Sequence, residues 1–426
     1  MSDSRSSQRV VIVGAGMAGV QTAVQLREQG WPGAIRLIGG ETHQPYDRPP
    51  LSKAVLLGKA GDSPSSLSSL GVTFDIDFGA LDVDLQLGLA VTGLRTAECL
   101  LETEAGEVAY DQLVIATGAE PLTLPGSEDV PGVHLLRTLD DAARLRPVLA
   151  ARGAVVVVGA GWIGAEFTTA AREAGCAVTV VEAADQPLPG ALPGEVTQYM
   201  RAWYEQSGAE LRTGVAVQSI EQGGVLLADG THLRADAVVV GIGSRPATGW
   251  LTRSGIELAE DGAVLADERL CTSAPHVYAV GDCASFPSAR YGKRLLVHHW
   301  DNALQGPRVV AGNIAAVGLA DGQAESAVYD PVPYFWSEQF GRFIQYAGHH
   351  SEEDELVRRG DPREAAWSVC WLRDGALAAL LAVGRPRDLA QGRKLMERGL
   401  PVDREVVADA DVPLKKAVRQ TNKTHL

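Results

Sequence analysis

Closely spaced cysteines are missing from this chain. Cys99, Cys176, Cys271, Cys283 and Cys370 are five among 426 residues, and no two form a CxxC or CxxxxC pair. That spacing argues against a redox disulfide built from neighbouring cysteines, an iron–sulfur cluster and a structural zinc site. The histidines make no metal case either. His298-His299 and His349-His350 are adjacent pairs, which cannot both face one side of a strand or helix, and no HxxxH or HExxH occurs. There is no GxSxG elbow. No run of about 18 apolar residues suggests a membrane span. Met1 to Gln8 is polar and lacks the apolar core of a signal peptide, so a cytoplasmic location is expected. Basic residues are in deficit, 38 against 53 acidic ones. The net charge of −15 disfavours nucleic acid as a partner.

Glycine-rich turns, by contrast, are present twice in the same setting. Val10-Val11-Ile12-Val13 runs into Gly14-Ala15-Gly16-Met17-Ala18-Gly19, and Val155-Val156-Val157-Val158 runs into Gly159-Ala160-Gly161-Trp162-Ile163-Gly164. Each is a β-branched run of strand length, then G-x-G-x-x-G, then a helix pattern of small residues. This is the dinucleotide-binding fingerprint. Its first glycine allows the tight turn, its second lets backbone approach a pyrophosphate, and its third lets helix and strand pack closely. A second strand follows each turn and leads to a carboxylate. Glu41 lies 22 residues past Gly19, and Glu182 lies 18 past Gly164, near the distance at which a carboxylate reaches a ribose. Glu182 would repel a 2′-phosphate, and no lysine or arginine follows it before Arg201. NADH is therefore expected rather than NADPH.

Further motifs lie between and after the fingerprints. Tyr46 to Lys53 (YDRPPLSK) is a proline-stiffened loop in which Ser52 can cap a following helix and Lys53 could face a cofactor. Asp111 to Gly118 reads as an apolar strand ending in Ala-Thr-Gly, and Ala237 to Val240 as another ending in Gly241-Ile242-Gly243. Val277 to Asp282 closes on an aspartate suited to cofactor hydroxyls, and His299 to Val317 has a helix pattern. From about Ala327 the pattern becomes short strands at Phe343–Ala347, Ala366–Leu372 and Ala376–Val383, closed by a helix at Pro386–Arg398. The aromatic stretch Tyr334 to Phe340 reads as core, with placement beside a flavin edge as the alternative.

With these residues in view, the chain resembles the FAD-dependent, NADH-linked ferredoxin reductases of oxygenase systems. The resemblance rests on YDRPPLSK, GAGWIGAE (Gly159 to Glu166), Tyr278 to Cys283, Asn302 to Gly306, Phe335 to Gln339 and Gly384 to Leu389. It implies an α/β chain with two Rossmann-like domains and a C-terminal α+β domain. Residues 1–117 and 245–326 would bind FAD, 118–244 would bind NADH, and 327–426 would form the third domain. The implied FAD contacts are Gly14, Ala15, Gly16, Ala18, Gly19, Arg48, Lys53, Ala80, Thr117, Gly118, Arg137, Gly281, Asp282 and Trp300. Many members carry Asp where this chain has Gly40, and Glu41 is the candidate for that ribose contact. The implied NAD contacts are Gly159, Gly161, Trp162, Ile163, Gly164, Glu166, Glu182, Gly241, Ile242 and Gly243. His298 stands where members often have Glu and is assigned no role.

The resemblance further implies that Lys53, paired with Glu166, stabilises negative charge on the reduced flavin, with Trp300 beside the rings. Electrons would leave singly to a small iron–sulfur protein. Pro49 and Pro50, with no cysteine between Tyr46 and Lys53, argue against oxidases and reductases that use a single cysteine there. Two other readings stay open: an NADH oxidase with a small acceptor, and an NADH-sensing binding protein such as apoptosis-inducing factor. Charge distribution suggests where an acidic partner docks. The segment from Asp330 carries 15 acidic and 15 basic residues, so the rest of the chain holds the whole net charge. Arg387, Arg393 and Lys394, within the basic run Arg373 to Arg398, are the candidate docking residues.

Overall fold

The computed structural model describes residues 8–58, 72–316 and 327–419. Nearly all of the polar stretch Met1 to Gln8 lies outside them. Residue contacts divide the chain into two units. One comprises Met1–Pro50, Ala60–Glu120 and Ser244–Asp330; the other comprises Leu51–Lys59, Pro121–Gly243 and Pro331–Leu426.

The first unit is built on a five-stranded sheet in the order Val277–Ala279, Gln112–Ile115, Arg9–Val13, Ala34–Gly39, Val83–Leu87, with every pair parallel. Alternation along the first strand explains its two-sided burial. Val10 and Ile12 pack into a core with helices Met17–Glu28 and Trp300–Ala316. Val11 and Val13 face Leu94, Leu101 and Val108 of a three-stranded antiparallel sheet. A strand covered on both faces has no room for polar residues, which is why the sequence there is an unbroken apolar run.

In the second unit, five parallel strands run in the order Glu210–Thr213, Ala177–Glu182, Ala154–Val158, Ala237–Val240, Val133–His134. The second fingerprint helix, Trp162–Ala174, follows the central strand. A second five-stranded sheet of the unit is antiparallel, in the order Tyr334–Gln339, Arg342–Gly348, Ala376–Val383, Trp367–Arg373, Glu355–Arg359. Ala347, Cys370 and Leu380 on one face bury Leu389, Leu395 and Met396 of helix Pro386–Arg398. Ile344, Trp367, Val369 and Trp371 on the other pack with Leu188, Leu192 and Trp203.

Two strands of this sheet are additional to those read from the sequence. The aromatic stretch forms the edge strand Tyr334–Gln339. Glu355–Arg359, for which the sequence reading gives no element, pairs in full register with the strand at Trp367. The reason is Arg359, which is 0% exposed and paired with Asp388 at 3.2 Å. Its guanidinium also donates to the carbonyls of Val406, Val407, Asp409 and Val412. Asp388 accepts in addition from Arg385 (2.6 Å) and Ser368 (2.9 Å). A buried ion pair this fully hydrogen-bonded avoids the penalty of an unpaired charge. Asp388 also sits in the first turn of helix Pro386–Arg398, where the helix dipole favours a carboxylate. The pair therefore fixes where that helix begins.

Candidate active site

Each fingerprint turn places its three glycines differently. Gly14 has φ +110°, and a Cβ there would lie 2.2 Å from the carbonyl oxygen of Ala116. Gly159 has φ +101°, and its Cβ would lie 2.3 Å from the Gly241 oxygen. The first glycine is thus required by the crossing strand beside it, and the two turns solve the problem identically. The middle glycines behave otherwise. A Cβ on Gly16 would meet nothing within 4 Å, and one on Gly161 only the Gly241 oxygen at 3.9 Å. Those positions are open, as a backbone cradle for pyrophosphate must be. Ile163 and Ile242, next to the second cradle, are 45% and 36% exposed. Large apolar side chains left in water beside an open glycine turn fit a ligand that covers them.

The second strands end in different ways. In the second unit, Glu182 is buried and its carboxylate accepts from the Ala160 amide at 2.8 Å and the Ala184 amide at 2.9 Å. It is held at the carboxyl edge of the sheet, where an adenosine ribose is recognised. In the first unit the matching register position is Gly39, where a Cβ would lie 2.8 Å from that of Ala15. The nearby carboxylate, Glu41, accepts from Tyr46 Oη at 2.6 Å and from Arg48 at 2.7 Å. The structure thus joins Glu41 and Arg48 in one ion pair.

The first unit gathers most of its candidates at the carboxyl edge of its sheet. Thr117 and Gly118 follow the strand beside Gly14, and Gly281 and Asp282 follow strand Val277–Ala279. Gly281 sits against Ala18, its Cβ position 3.0 Å from that residue's methyl. Trp300 opens its helix and donates from Nε1 to Asp47 Oδ1 at 2.9 Å. His299 lies beside Asp282, and burial pushes its pKa down to about 4 against that carboxylate's pull, so the ring is neutral at pH 7. Ala80 is not brought to this edge. It is exposed in the turn before Val83, at the amino end of its strand, and register puts Val83 beside Ile35 rather than beside Gly39.

Lys53 and Glu166 come together in the second unit, which also contains Arg137 ahead of helix Leu139–Ala151. Lys53 Nζ donates to Glu166 Oε2 at 2.8 Å, and Glu166 is 5% exposed in the fingerprint helix. Among the described residues no helix follows Ser52 before residue 58. Ser52 closes the short turn Pro49–Ser52 and donates its hydroxyl to Glu166 Oε2 at 2.5 Å, a charge-assisted hydrogen bond to a buried carboxylate. Ser337 donates to the other oxygen at 2.6 Å. Sequence reasoning missed Ser337. The available signal was a polar residue inside an aromatic strand, which implies a buried partner. Trp162 in the same helix packs its ring edge on Phe335, centroids 4.7 Å apart.

The docking candidates separate in the structure. Arg387, Lys394 and Arg398 are exposed, and their spacing of 7 and 4 puts them on one face of helix Pro386–Arg398. Arg393 lies off that face, pairs with Glu397 at 3.4 Å and sits over the Tyr334 ring at 5.4 Å. Arg373 is engaged by Asp354 at 2.8 Å.

Two dinucleotide folds, two open glycine cradles and a lysine paired with a buried carboxylate define a nucleotide-dependent oxidoreductase. The chain belongs to the pyridine nucleotide-disulphide oxidoreductase family, whose model matches residues 8–306, and a reductase C-terminal model matches 334–418. It is 37% identical to the 5,5′-dehydrodivanillate O-demethylase ferredoxin reductase subunit of a Sphingobium species, covering 95% of this chain and 97% of that one. It is 34% identical to rhodocoxin reductase of Rhodococcus erythropolis, covering 98% and 96%. Among solved structures it is similar to the covalent putidaredoxin reductase–putidaredoxin complex, with TM-score 0.89, 31% identity and coverage of 96% and 98%. The cofactors of this enzyme are FAD and NADH. Despite the family's name, all five cysteines are free. Among the described residues no helix is long and apolar enough to cross a membrane, and no cluster could hold a metal ion.

Proposed function

We propose that this enzyme passes electrons from NADH through FAD, one at a time, to a small iron–sulfur ferredoxin that serves an oxygenase. The observation that carries this reading is the pair of Lys53 with Glu166, which is buried on the second fingerprint helix, in a chain whose full-length relatives are ferredoxin reductases. FAD is assigned to residues 1–117 and 245–326, NADH to 118–244, and the acceptor to the face of 327–426.

Bound FAD supplies the chemistry: it takes a hydride from NADH and releases electrons singly. The protein's own groups position and polarise. Gly16 and Gly161 admit the two pyrophosphates, and Asp282 binds FAD hydroxyls. Glu182 takes the NADH ribose and repels a 2′-phosphate. Lys53 holds a positive charge where negative charge develops, and Glu166 fixes that ammonium in place. Trp300, tied to Asp47, presents a flat ring beside the reacting rings.

Anaerobic stopped-flow mixing tests the reading. NADH should bleach the yellow protein rapidly and NADPH slowly, and a [2Fe–2S] ferredoxin should then be reduced in one-electron steps. Fast bleaching without transfer to any ferredoxin tried would refute it. Docking has its own test. Reversing the charges of Arg387, Lys394 and Arg398 together should raise the KM for ferredoxin, most strongly at low salt, while NADH still reduces the flavin at the wild-type rate. Reversing Arg393 should do less, since its charge is already compensated by Glu397. Unchanged ferredoxin turnover in the triple variant would rule this face out.

A further inference from the structure

Strand Tyr334–Gln339 has two unlike faces. Tyr334 and Trp336 stack on each other at 6.0 Å, and Tyr334 packs against the core that contains Leu389 and Leu395. Phe335, Ser337 and Gln339 alternate with them and face the fingerprint helix. Phe335 meets Trp162, Ser337 Oγ donates to Glu166 Oε1, and Gln339 Nε2 donates to Ser337 Oγ at 3.1 Å. The Phe340 amide then donates to Thr169 Oγ1 at 3.0 Å, pinning the next turn of the same helix. Ser337 and Gln339 are 1% and 2% exposed. Burying a hydroxyl and an amide is costly unless they are paired. Here the two form a chain that ends on Glu166 Oε1, while Lys53 donates to Oε2.

We propose that Ser337 and Gln339 are positioning residues for the flavin-facing charge, setting how much of the Lys53 field is left unneutralised by Glu166. This rests on the FAD reading given above. Hydrogen bonds to Oε1 draw charge toward that oxygen and hold the carboxylate in one rotamer. Without them the carboxylate charge concentrates on Oε2, against Lys53, and the ammonium stabilises added negative charge less. The C-terminal sheet would thus tune the redox site through its edge strand.

The test is the midpoint potential of bound FAD, measured by anaerobic titration against a reference dye in wild type, S337A, S337C and Q339M. S337A should lower the potential and slow reduction by NADH by about tenfold. S337C, which keeps the shape with a weaker donor, should fall between, and Q339M should shift the same way by less. Melting temperatures and FAD content should stay close to wild type. If S337A loses FAD, the other two variants decide. Potentials in S337C and Q339M that equal or exceed wild type would overturn the proposal. Failure of the wild type to be reduced by NADH would instead overturn the function, before any variant is compared.

Discussion

Lys53→Met is expected to give a protein that still binds FAD but is reduced by NADH about 10²–10³-fold more slowly, the usual cost of removing one preorganised charge from a reaction centre. The same substitution leaves Glu166 buried with two hydroxyl donors and no cation, a costly state for a carboxylate. Lys53→Met combined with Glu166→Gln should therefore recover thermal stability without recovering the rate. Glu166→Gln alone keeps the ammonium and removes its neutralising partner, so the flavin potential should rise. Stopped-flow bleaching and thermal melts of the three proteins separate the effects. A wild-type rate in Lys53→Met would exclude the lysine from the chemistry.

The second large effect contrasts two glycines in one turn. Gly14→Ala forces a methyl group to within 2.2 Å of the Ala116 oxygen at a φ of +110°. Strain and overlap together cost roughly 2–6 kcal/mol, enough to unfold the first sheet. Gly16→Ala costs little in folding, because its Cβ meets nothing within 4 Å and its φ of −78° suits any residue. There the methyl would enter the space proposed above for the pyrophosphate. Gly14→Ala should be insoluble or unstable. Gly16→Ala should be folded by circular dichroism, yet colourless, with FAD affinity lost. If Gly16→Ala retained FAD with normal affinity, the first cradle would not be its site.

The apolar strands were legible because both faces of each parallel sheet are covered, which forces an unbroken Val/Ile run. Ala237–Val240, Ala376–Val383 and Pro386–Arg398 begin and end where their patterns do. Glu355–Arg359 was not legible: its arginines look solvated, and only the distant Asp388 makes a buried Arg359 tolerable. Ala80 failed for a related reason. The resemblance placed it by sequence, whereas strand register decides which end of the sheet a residue occupies.

By itself, the sequence determined the two nucleotide folds, NADH as the nucleotide and the absence of a closely spaced cysteine pair, because glycine spacing and strand periodicity act over a few residues. Only tertiary structure decided what surrounds the charges. It tied Glu41 to Arg48, brought the Ser52 hydroxyl onto Glu166, and set Arg393 apart from Arg387 and Lys394. It also brought Ser337 onto Glu166 from 171 residues away. A buried charge takes its donors from whatever elements packing brings within hydrogen-bond reach, and local sequence carries no record of that choice.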